Sequence, residues 1–270
     1  MTTDGVRVTG LFVYPVKSCA GTAVAEAAVG RRGFAGDREF MVTDVNGLFV
    51  TQRELPRMAL IAPALADGGL TLRAAGMPDL LLEPRTEGAL RRAVVWGSTC
   101  DAIDQGDEAA RWLSEFLGAP LRLARMAEGF SRKVDPDYAV SPGDETGFAD
   151  GYPFLLLSEG SLADLNGRLP EAVEMRRFRP NIVVAGCAPY AEDGWRRVRI
   201  GSVELAVVKP CARCIITTTD QSTAERGREP LATLAAYRNI PGKGVMFGQN
   251  LIHAGPGRIA VGDAVEVVSE

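Results

Sequence analysis

Histidine is almost absent from this chain of 270 residues, which contains only His253. Histidine-rich zinc, copper and non-haem iron sites are therefore excluded within one chain. A catalytic triad or a cysteine–histidine pair would have to use His253. That residue flanks a predicted strand, where a structural role is more common than a catalytic one. Soft metal ligands must then come from the five cysteines or the seven methionines.

Lysine is also scarce, because four of the 30 basic residues are lysines and the others are arginines. A guanidinium group suits phosphate and carboxylate, since it donates two parallel hydrogen bonds. The formal net charge is −4, which argues against a protein that coats nucleic acid. Nucleic acid is therefore not an expected partner.

Long apolar runs are missing as well. No stretch approaches the roughly 18 apolar residues of a membrane span, and residues 1–5 lack the basic and apolar regions of a signal peptide. We therefore expect no membrane partner. An odd number of cysteines without a secretion signal favours a reducing compartment, so a cytoplasmic location is predicted.

Short strands separated by tight turns dominate what is present, with 30 glycines and 16 prolines along the chain. Strands are predicted over residues 6–16, 40–45, 48–51, 70–73, 80–82, 93–96, 203–208, 215–219, 258–261 and 264–268. Helices are predicted over residues 107–117, 158–169 and 229–238, with Ser158 as an N-cap. The predicted fold class is mainly β with a few helices (α+β), built as one or two barrels.

Cys211 and Cys214 stand two residues apart after a predicted strand. A thioredoxin-like motif would precede a helix, and the strand predicted over residues 215–219 weakens that interpretation. Structural zinc needs four ligands, and no second cysteine pair exists. Three interpretations stay open: two buried cysteines, one thiolate on a soft high-valent metal, or a reactive or sulfur-carrying cysteine. Positions three apart on a strand face opposite ways, so only one of the two is expected to face a pocket if the pair is extended.

Two arginines and an amide share one face of the segment 177–181 if it is extended. Arg177, Arg179 and Asn181 could then bind an anion or the edge of a heterocycle through charge-assisted hydrogen bonds. The alternative is a solvated strand edge, and Pro180 agrees with a strand start.

Two turns carry further polar candidates. Lys17 and Ser18 lie just past the first predicted strand and could hold a phosphate, although an ordinary turn explains them equally well. Asp37 and Arg38 follow two glycines and could form a phosphate-binding corner, which is a weak pattern by itself.

Six short segments resemble a known family in their order along the chain. They are residues 13–19, 36–38, 154–159, 178–181, 209–214 and 230–234. Together they resemble the MOSC proteins that carry an N-terminal β-barrel domain, and most closely the amidoxime-reducing components and their bacterial relatives. The resemblance extends from about residue 6 to residue 268.

This resemblance implies a fold and a cofactor. The fold is a MOSC β-barrel domain packed against a smaller N-terminal β-barrel domain, with the N-terminal domain over residues 1–122 and the MOSC domain over residues 123–270. The cofactor is the molybdenum cofactor, in which a molybdopterin dithiolene with a terminal phosphate holds the metal. Cys214 matches the cysteine that ligates molybdenum, and a soft thiolate suits that metal.

The resemblance also implies roles for the residues around the metal. The positions that match cofactor-binding residues of the family are Lys17, Ser18, Arg38, Gly151, Tyr152, Arg179, Asn181, Ala212, Arg213 and Cys214. The first three match phosphate-binding positions, and Arg179 and Asn181 match pterin-binding positions. Relatives carry small hydroxyl residues where this chain has Gly151 and Tyr152, so backbone contacts are expected there. Asp150 is a candidate proton relay and, with Cys214, forms the predicted catalytic set.

The resemblance predicts a molybdenum-dependent oxidoreductase that reduces N-hydroxylated small molecules such as amidoximes, hydroxylamines and N-hydroxylated bases. The chain has no ferredoxin-type cysteine set, so electrons are expected from a separate ferredoxin, flavodoxin or cytochrome b5/reductase-type protein. Sulfur transfer by a persulfide-carrying cysteine and non-catalytic carriage of the cofactor stay open as alternatives.

Overall fold

Strands form most of the regular structure, which confirms the predicted mainly-β fold class. The computed structural model describes residues 5–66 and 68–269. The strands are β1 (Arg7–Val13), β2 (Thr22–Val24), β3 (Glu26–Gly30), β4 (Gly33–Phe34), β5 (Phe40–Asp44), β6 (Ala62–Ala66), β7 (Gly69–Arg73), β8 (Leu80–Leu82), β9 (Leu90–Val95), β10 (Ser98–Asp104), β11 (Leu121–Met126), β12 (Phe154–Ser158), β13 (Ile182–Ala185), β14 (Arg197–Ile200), β15 (Val203–Arg213), β16 (Asn239–Ile240), β17 (Gly244–His253), β18 (Gly257–Ala260) and β19 (Val265–Ser269). The α-helices are α1 (Asp107–Leu117), α2 (Glu159–Asn166) and α3 (Leu231–Arg238). Short 3-10 helices cover Pro56–Leu60, Met175–Phe178, Ala191–Asp193 and Ile215–Thr218.

The largest sheet joins the two ends of the sequence. Its strand order is β19-β14-β15-β17-β12-β13-β1-β2, with β16 paired to β17. Strand β1 runs antiparallel to β13, and Leu11 lies opposite Ile182. The first strand of the chain is therefore part of the sheet that the last third builds.

Three smaller sheets complete the fold, in the orders β5-β11-β10-β9, β18-β3-β4 and β6-β7-β8. The second of these again pairs an early strand with a late one, since β3 lies against β18. The predicted division into residues 1–122 and 123–270 stays a prediction, and strand β11 crosses it.

The helix predictions agree with the structure to within a few residues. Helix α1 has the predicted bounds, and its apolar face packs into the core. Helix α2 ends three residues earlier than predicted, and the Ser158 hydroxyl caps it by accepting a hydrogen bond from the backbone N–H of Ser161. Helix α3 begins at Leu231, one residue after Pro230.

The strands predicted over residues 40–45 and 48–51 form only a partly regular hairpin around Asn46 and Gly47. Strand β5 ends at Asp44, and residues 48–51 form isolated bridges rather than the predicted strand. The Asp44 carboxylate accepts hydrogen bonds from the backbone N–H groups of Asn46 and Leu48, at 2.9 and 2.8 Å. A side chain thus takes the place of ladder hydrogen bonds in this turn.

Separate apolar cores lie under the large sheet and around α1. The first core contains Trp195 and Phe154, and residues of β1 and β3 pack into it. The second is built by α1 with β5, β7 and β11. Within residues 5–66 and 68–269, no helix has the length and apolar character needed to cross a membrane.

Candidate functional site

A cleft of about 820 Å³ is lined by every residue that the resemblance assigned to the cofactor or to catalysis. The predicted residues that line it are Lys17, Ser18, Arg38, Asp150, Gly151, Tyr152, Arg179, Asn181, Ala212, Arg213 and Cys214. They come from the turn after β1, the turn before β5, the loop before β12, the segment before β13 and the end of β15. Positions far apart in sequence therefore meet in one cavity, and their individual roles stay predictions.

Three of these residues have a left-handed backbone that side chains rarely adopt. The φ angles are +66° at Ser18, +48° at Arg38 and +56° at Arg179. Each such residue destabilises the local backbone by about 1–3 kcal/mol unless the surroundings hold it. The extended geometry expected for the segment 177–181 is wrong, because Met175–Phe178 is a 3-10 helix that ends in the left-handed Arg179. Arg177 pairs with Asp220, at 2.8 Å, and also lines the cleft.

A buried carboxylate organises one wall of the cleft. Asp37 accepts hydrogen bonds from Arg38 at 2.7 Å, from the Asn181 amide at 3.1 Å and from the backbone N–H of Tyr14 at 2.8 Å. Burial raises the pKa of Asp37, and the neighbouring Arg38 guanidinium opposes that rise. Asp37 thus fixes the Arg38 guanidinium and the Asn181 amide, whose Oδ1 also accepts from Arg38 at 3.0 Å.

Tyr14 fixes the spacing of two guanidinium groups. Its ring lies between Arg38 and Arg179, whose central carbons are 4.2 and 4.4 Å from the ring centroid. Burial raises the pKa of Tyr14 to about 12, so the hydroxyl stays protonated and donates to the carbonyl of Pro180 at 3.1 Å. Tyr14 was not among the predicted site residues, although it lies in the first of the six segments that resemble the family.

Lys17 and Asp150 form an ion pair on the opposite wall. The buried Lys17 ammonium donates to Asp150 at 2.5 Å and to the carbonyl of Phe148 at 2.8 Å. Burial lowers the pKa of Lys17, while Asp150 raises it. Desolvation in the cleft disfavours the charged form of Asp150, but the Lys17 ammonium outweighs it and holds the pKa of Asp150 below its ordinary value. Asp150 is therefore a carboxylate at neutral pH.

Two further guanidinium groups lack a carboxylate partner among the described residues. Arg213 donates to the carbonyls of Phe247 at 2.7 Å and Phe178 at 3.0 Å, and its remaining Nη2 is buried without a partner. Arg179 donates to the carbonyl of Cys19 at 2.6 Å. Buried cations that face a cavity without a counter-ion favour an anionic ligand. An anion with several acceptor oxygens therefore fits this cleft.

Both cysteines of the pair line the cleft, so the expectation that only one would do so is wrong. The pairing of β15 with β17 shifts register twice, between Val207 and Lys209 and between Pro210 and Ala212. Each shift marks a bulge or a similar irregularity, and these interrupt the alternation of side chains along a strand. The strand predicted over residues 215–219 is also wrong, because the 3-10 helix Ile215–Thr218 follows Cys214.

The environments of the cysteines differ. Burial raises the pKa of the Cys211 thiol, and the charge of Arg213 offsets part of this rise. Cys19 is fully buried, and burial raises its pKa to about 12. Cys214 has a cationic hydrogen-bond donor at its sulfur, Nη2 of Arg53, at 3.2 Å. Among these three cysteines, Cys214 is therefore the one whose sulfur accepts a hydrogen bond from a guanidinium group.

Arg53 lines the cleft and Trp96 packs against it, although neither was among the predicted site residues. The Arg53 guanidinium lies 4.6 Å from the Trp96 ring centroid, and the Trp96 indole donates to Asp150 at 3.2 Å. Neither residue stands in a motif, so only the folded chain brings them to the site.

His253 has the structural position that the sequence analysis favoured. It lies on β17, outside the residues that line the cleft, with its ring edge-on to Phe154 at 5.7 Å. In addition, the described residues contain no cluster of three or more histidine, cysteine, aspartate or glutamate side chains able to hold a metal.

Comparison with known families agrees with this architecture. A family model described as the MOSC N-terminal beta barrel domain matches residues 5–120, and a model described as the MOSC domain matches residues 143–266. This chain belongs to the MOSC family. The resemblance inferred from the six segments is thereby confirmed.

Relatives of this MOSC protein include reductases by name. It is 42% identical to the mitochondrial amidoxime-reducing component 1 of Homo sapiens, over 97% of this chain and 83% of that protein. Identity to the human mitochondrial amidoxime reducing component 2 is 38%, over 86% of this chain and 72% of that protein. A molybdenum cofactor sulfurase of Danio rerio is 34% identical over 91% of this chain, which spans 32% of that longer protein.

Proposed function

We propose that this MOSC protein binds a molybdenum cofactor and reduces N-hydroxylated compounds. The observation that carries the proposal is the cleft, in which Arg179 and Arg213 have no carboxylate partner among the described residues and a single thiol, Cys214, receives a cationic hydrogen bond. The amidoxime-reducing components support the reaction, because they are relatives along most of this chain.

The polar side chains fit a pterin cofactor with a terminal phosphate. Lys17, Ser18 and Arg38 would hold the phosphate, and Arg179 and Asn181 would hold the pterin. The orphaned Nη2 of Arg213 would gain an acceptor. A Cβ built on Gly151 would meet nothing within 4 Å, so backbone contacts there are sterically free. Tyr152 and Ala212 would line the same ligand, and Cys214 would bind the metal through its thiolate.

The protein's own residues would supply charge and protons. When bound, the cofactor supplies the two-electron chemistry that removes the oxygen of an N–OH group, with two protons taken up and water released. The side chain of Asp150 is 68% exposed and ionised beside Lys17. With its pKa held below the ordinary value it is a weak base, so it would orient the substrate N–OH group or a proton-donating water by accepting a hydrogen bond, while Lys17 keeps the carboxylate in place.

The proposal predicts that the two cysteines differ in effect. Cys214→Ala is expected to lose molybdenum and activity, because the metal loses its protein ligand, whereas Cys211→Ala is expected to keep most of both. Both variants would be produced in a host that makes the cofactor. The measurements are elemental molybdenum content and benzamidoxime reduction with reduced methyl viologen. Equal activity of Cys214→Ala and the unaltered protein would sink the assignment.

The proposed partners follow from the reaction. Electrons would come from a separate protein of the ferredoxin, flavodoxin or cytochrome b5/reductase type, and the substrate would be a small N-hydroxylated molecule. A cytoplasmic location is part of the proposal. Purified candidate donors that reduce benzamidoxime through this protein at a rate set by donor concentration would support it.

A second candidate function is sulfur transfer, which the similarity to a molybdenum cofactor sulfurase favours. It predicts sulfur on the isolated protein that cyanide can remove, and no reduction of N-hydroxylated compounds. A non-catalytic carrier would instead release its cofactor to a cofactor-free molybdoenzyme and show no turnover with methyl viologen. Turnover on benzamidoxime separates the proposed reductase from both.

A further inference from the structure

A cation from the first third of the chain reaches the thiol of Cys214. Nη2 of Arg53 donates to Cys214 Sγ at 3.2 Å, and the guanidinium lies on the Trp96 ring at 4.6 Å. Among the described residues Arg53 forms no ion pair with a carboxylate, although it lies near enough to lower the pKa of Asp150. The positive charge of Arg53 is thus directed at the sulfur of Cys214.

The turn that carries Arg53 is anchored on several sides. The Arg53 backbone N–H donates to the Thr51 hydroxyl at 3.1 Å, and the Glu54 carboxylate accepts from Thr51 at 2.7 Å. The fully buried Gln52 donates to the carbonyl of Ser18 at 2.7 Å. Arg226, from the last third of the chain, donates to the carbonyl of Arg53 at 3.3 Å. The guanidinium is therefore delivered to the sulfur from a fixed backbone.

Trp96 packs against the Arg53 guanidinium, although its own ring is partly exposed and its backbone is left-handed. It is 44% exposed, has a φ of +51° and lies in the turn between β9 and β10. One neighbour of its ring is Phe49 at 5.0 Å, another is Arg53, and its N–H donates to Asp150. A large exposed ring on a strained backbone needs a reason. Contact with Asp150 and with Arg53, the hydrogen-bond partner of Cys214, supplies one.

We infer that Arg53 is a positioning residue that directs positive charge at the Cys214 sulfur and so raises the reduction potential of a metal bound there, with Trp96 as its support. The inference rests on the proposed function, since it needs a redox metal at Cys214. Hydrogen bonds and cations at a ligating sulfur stabilise the reduced state, which carries more negative charge, over the oxidised state. Removal of the charge therefore lowers the potential.

The test uses the molybdenum-loaded protein and three variants. Arg53→Gln removes the charge, and Arg53→Lys keeps it on a different shape. Arg57→Gln is the matched control, because Arg57 also stacks on an aromatic ring, that of Phe116 at 4.4 Å, and is not among the residues that line the cleft. The measurements are molybdenum content, the midpoint potential of molybdenum from an EPR-monitored titration, and kcat and KM with benzamidoxime.

For Arg53→Gln we expect retained molybdenum, a shift to lower midpoint potential and a fall in kcat of about tenfold, which is typical for the loss of a group that contacts a metal ligand. Arg53→Lys should recover part of the potential, and Arg57→Gln should match the unaltered protein.

An unchanged potential in Arg53→Gln would overturn the inference and leave the proposed function intact. Loss of molybdenum from both Arg53 variants would also overturn it, because Arg53 would then be needed to assemble the site. Absence of molybdenum from the unaltered protein would instead refute the proposed function.

Discussion

The charged side chains of the cleft are of two kinds. Some form ion pairs with another residue of the protein, and others are cations that have no acidic partner among the described residues. Lys17 is paired with Asp150, whereas Arg53, Arg179 and Arg213 are directed at a sulfur or at carbonyl groups. The identities of most of these residues could be predicted from six short segments. Their charge balance could not, because it depends on which carboxylates the fold brings within reach.

The single histidine, His253, allows the pH dependence of stability to be assigned to one residue. Burial lowers the pKa of His253, which Asp144 and the Gly30 backbone only partly oppose. The unfolded chain, with a histidine pKa of about 6.5, therefore binds the proton more tightly than the folded chain. The free energy of unfolding should fall as pH drops through about 6.5 towards the lower folded pKa.

A comparison with His253→Gln isolates this contribution, because no other histidine is present. Urea unfolding of both proteins between about pH 8 and pH 5.5 should give curves whose difference is flat at the alkaline end and changes below about pH 6.5. Curves that stay parallel across the whole range would refute the burial-driven shift.

At the level of secondary-structure elements, strand β15 and its continuation decide the site more than any helix does. The alternation of a regular strand predicts one inward cysteine, and the two register shifts against β17 bring both to the cleft. Such irregularities leave no reliable pattern in a single sequence, because they depend on the partner strand. Helix α1 was predictable to the residue, because its apolar periodicity and the following glycine are local features.

Gly118, which ends α1, should resist substitution for a backbone reason alone. Its φ is +74° and a Cβ there would meet nothing within 4 Å. Gly118→Ala is therefore expected to lower the free energy of unfolding by about 1 kcal/mol, the typical penalty for a left-handed alanine. The control is Gly129→Ala, which has equally open surroundings and no left-handed φ. Equal stability of the two variants in urea would contradict this account.

On the scale of the whole molecule, the beginning of the chain completes the sheets of its end. Strand β1 pairs with β13, and strand β3 pairs with β18. Apolar side chains from the segment 6–34 also pack into the core under the large sheet. The cleft lies where these parts meet, since it takes Lys17 and Arg38 from the early part and Cys214 from the late part. The two matched family domains are thus not independent in their packing.

This interleaving predicts that residues 123–270 alone do not fold as a stable unit. The fragment would expose the edge of β13 and part of the large apolar core, because both lose their cover. We expect no cooperative urea transition and strong binding of a hydrophobic dye, in contrast to the full chain. A sharp transition for the fragment, with a slope in proportion to its size, would show that this part is autonomous.

The sequence by itself determined the fold class, the α-helices, the family and many of the residues that line the cleft, because these depend on local periodicity, capping and short ordered segments. Tertiary structure decided which groups face one another: Tyr14 between two arginines, both cysteines on one cleft, and Arg53 on the sulfur of Cys214. Those arrangements arise from turns, bulges and pairings between distant strands. The interaction energies that stabilise these arrangements arise between residues that are far apart in the sequence.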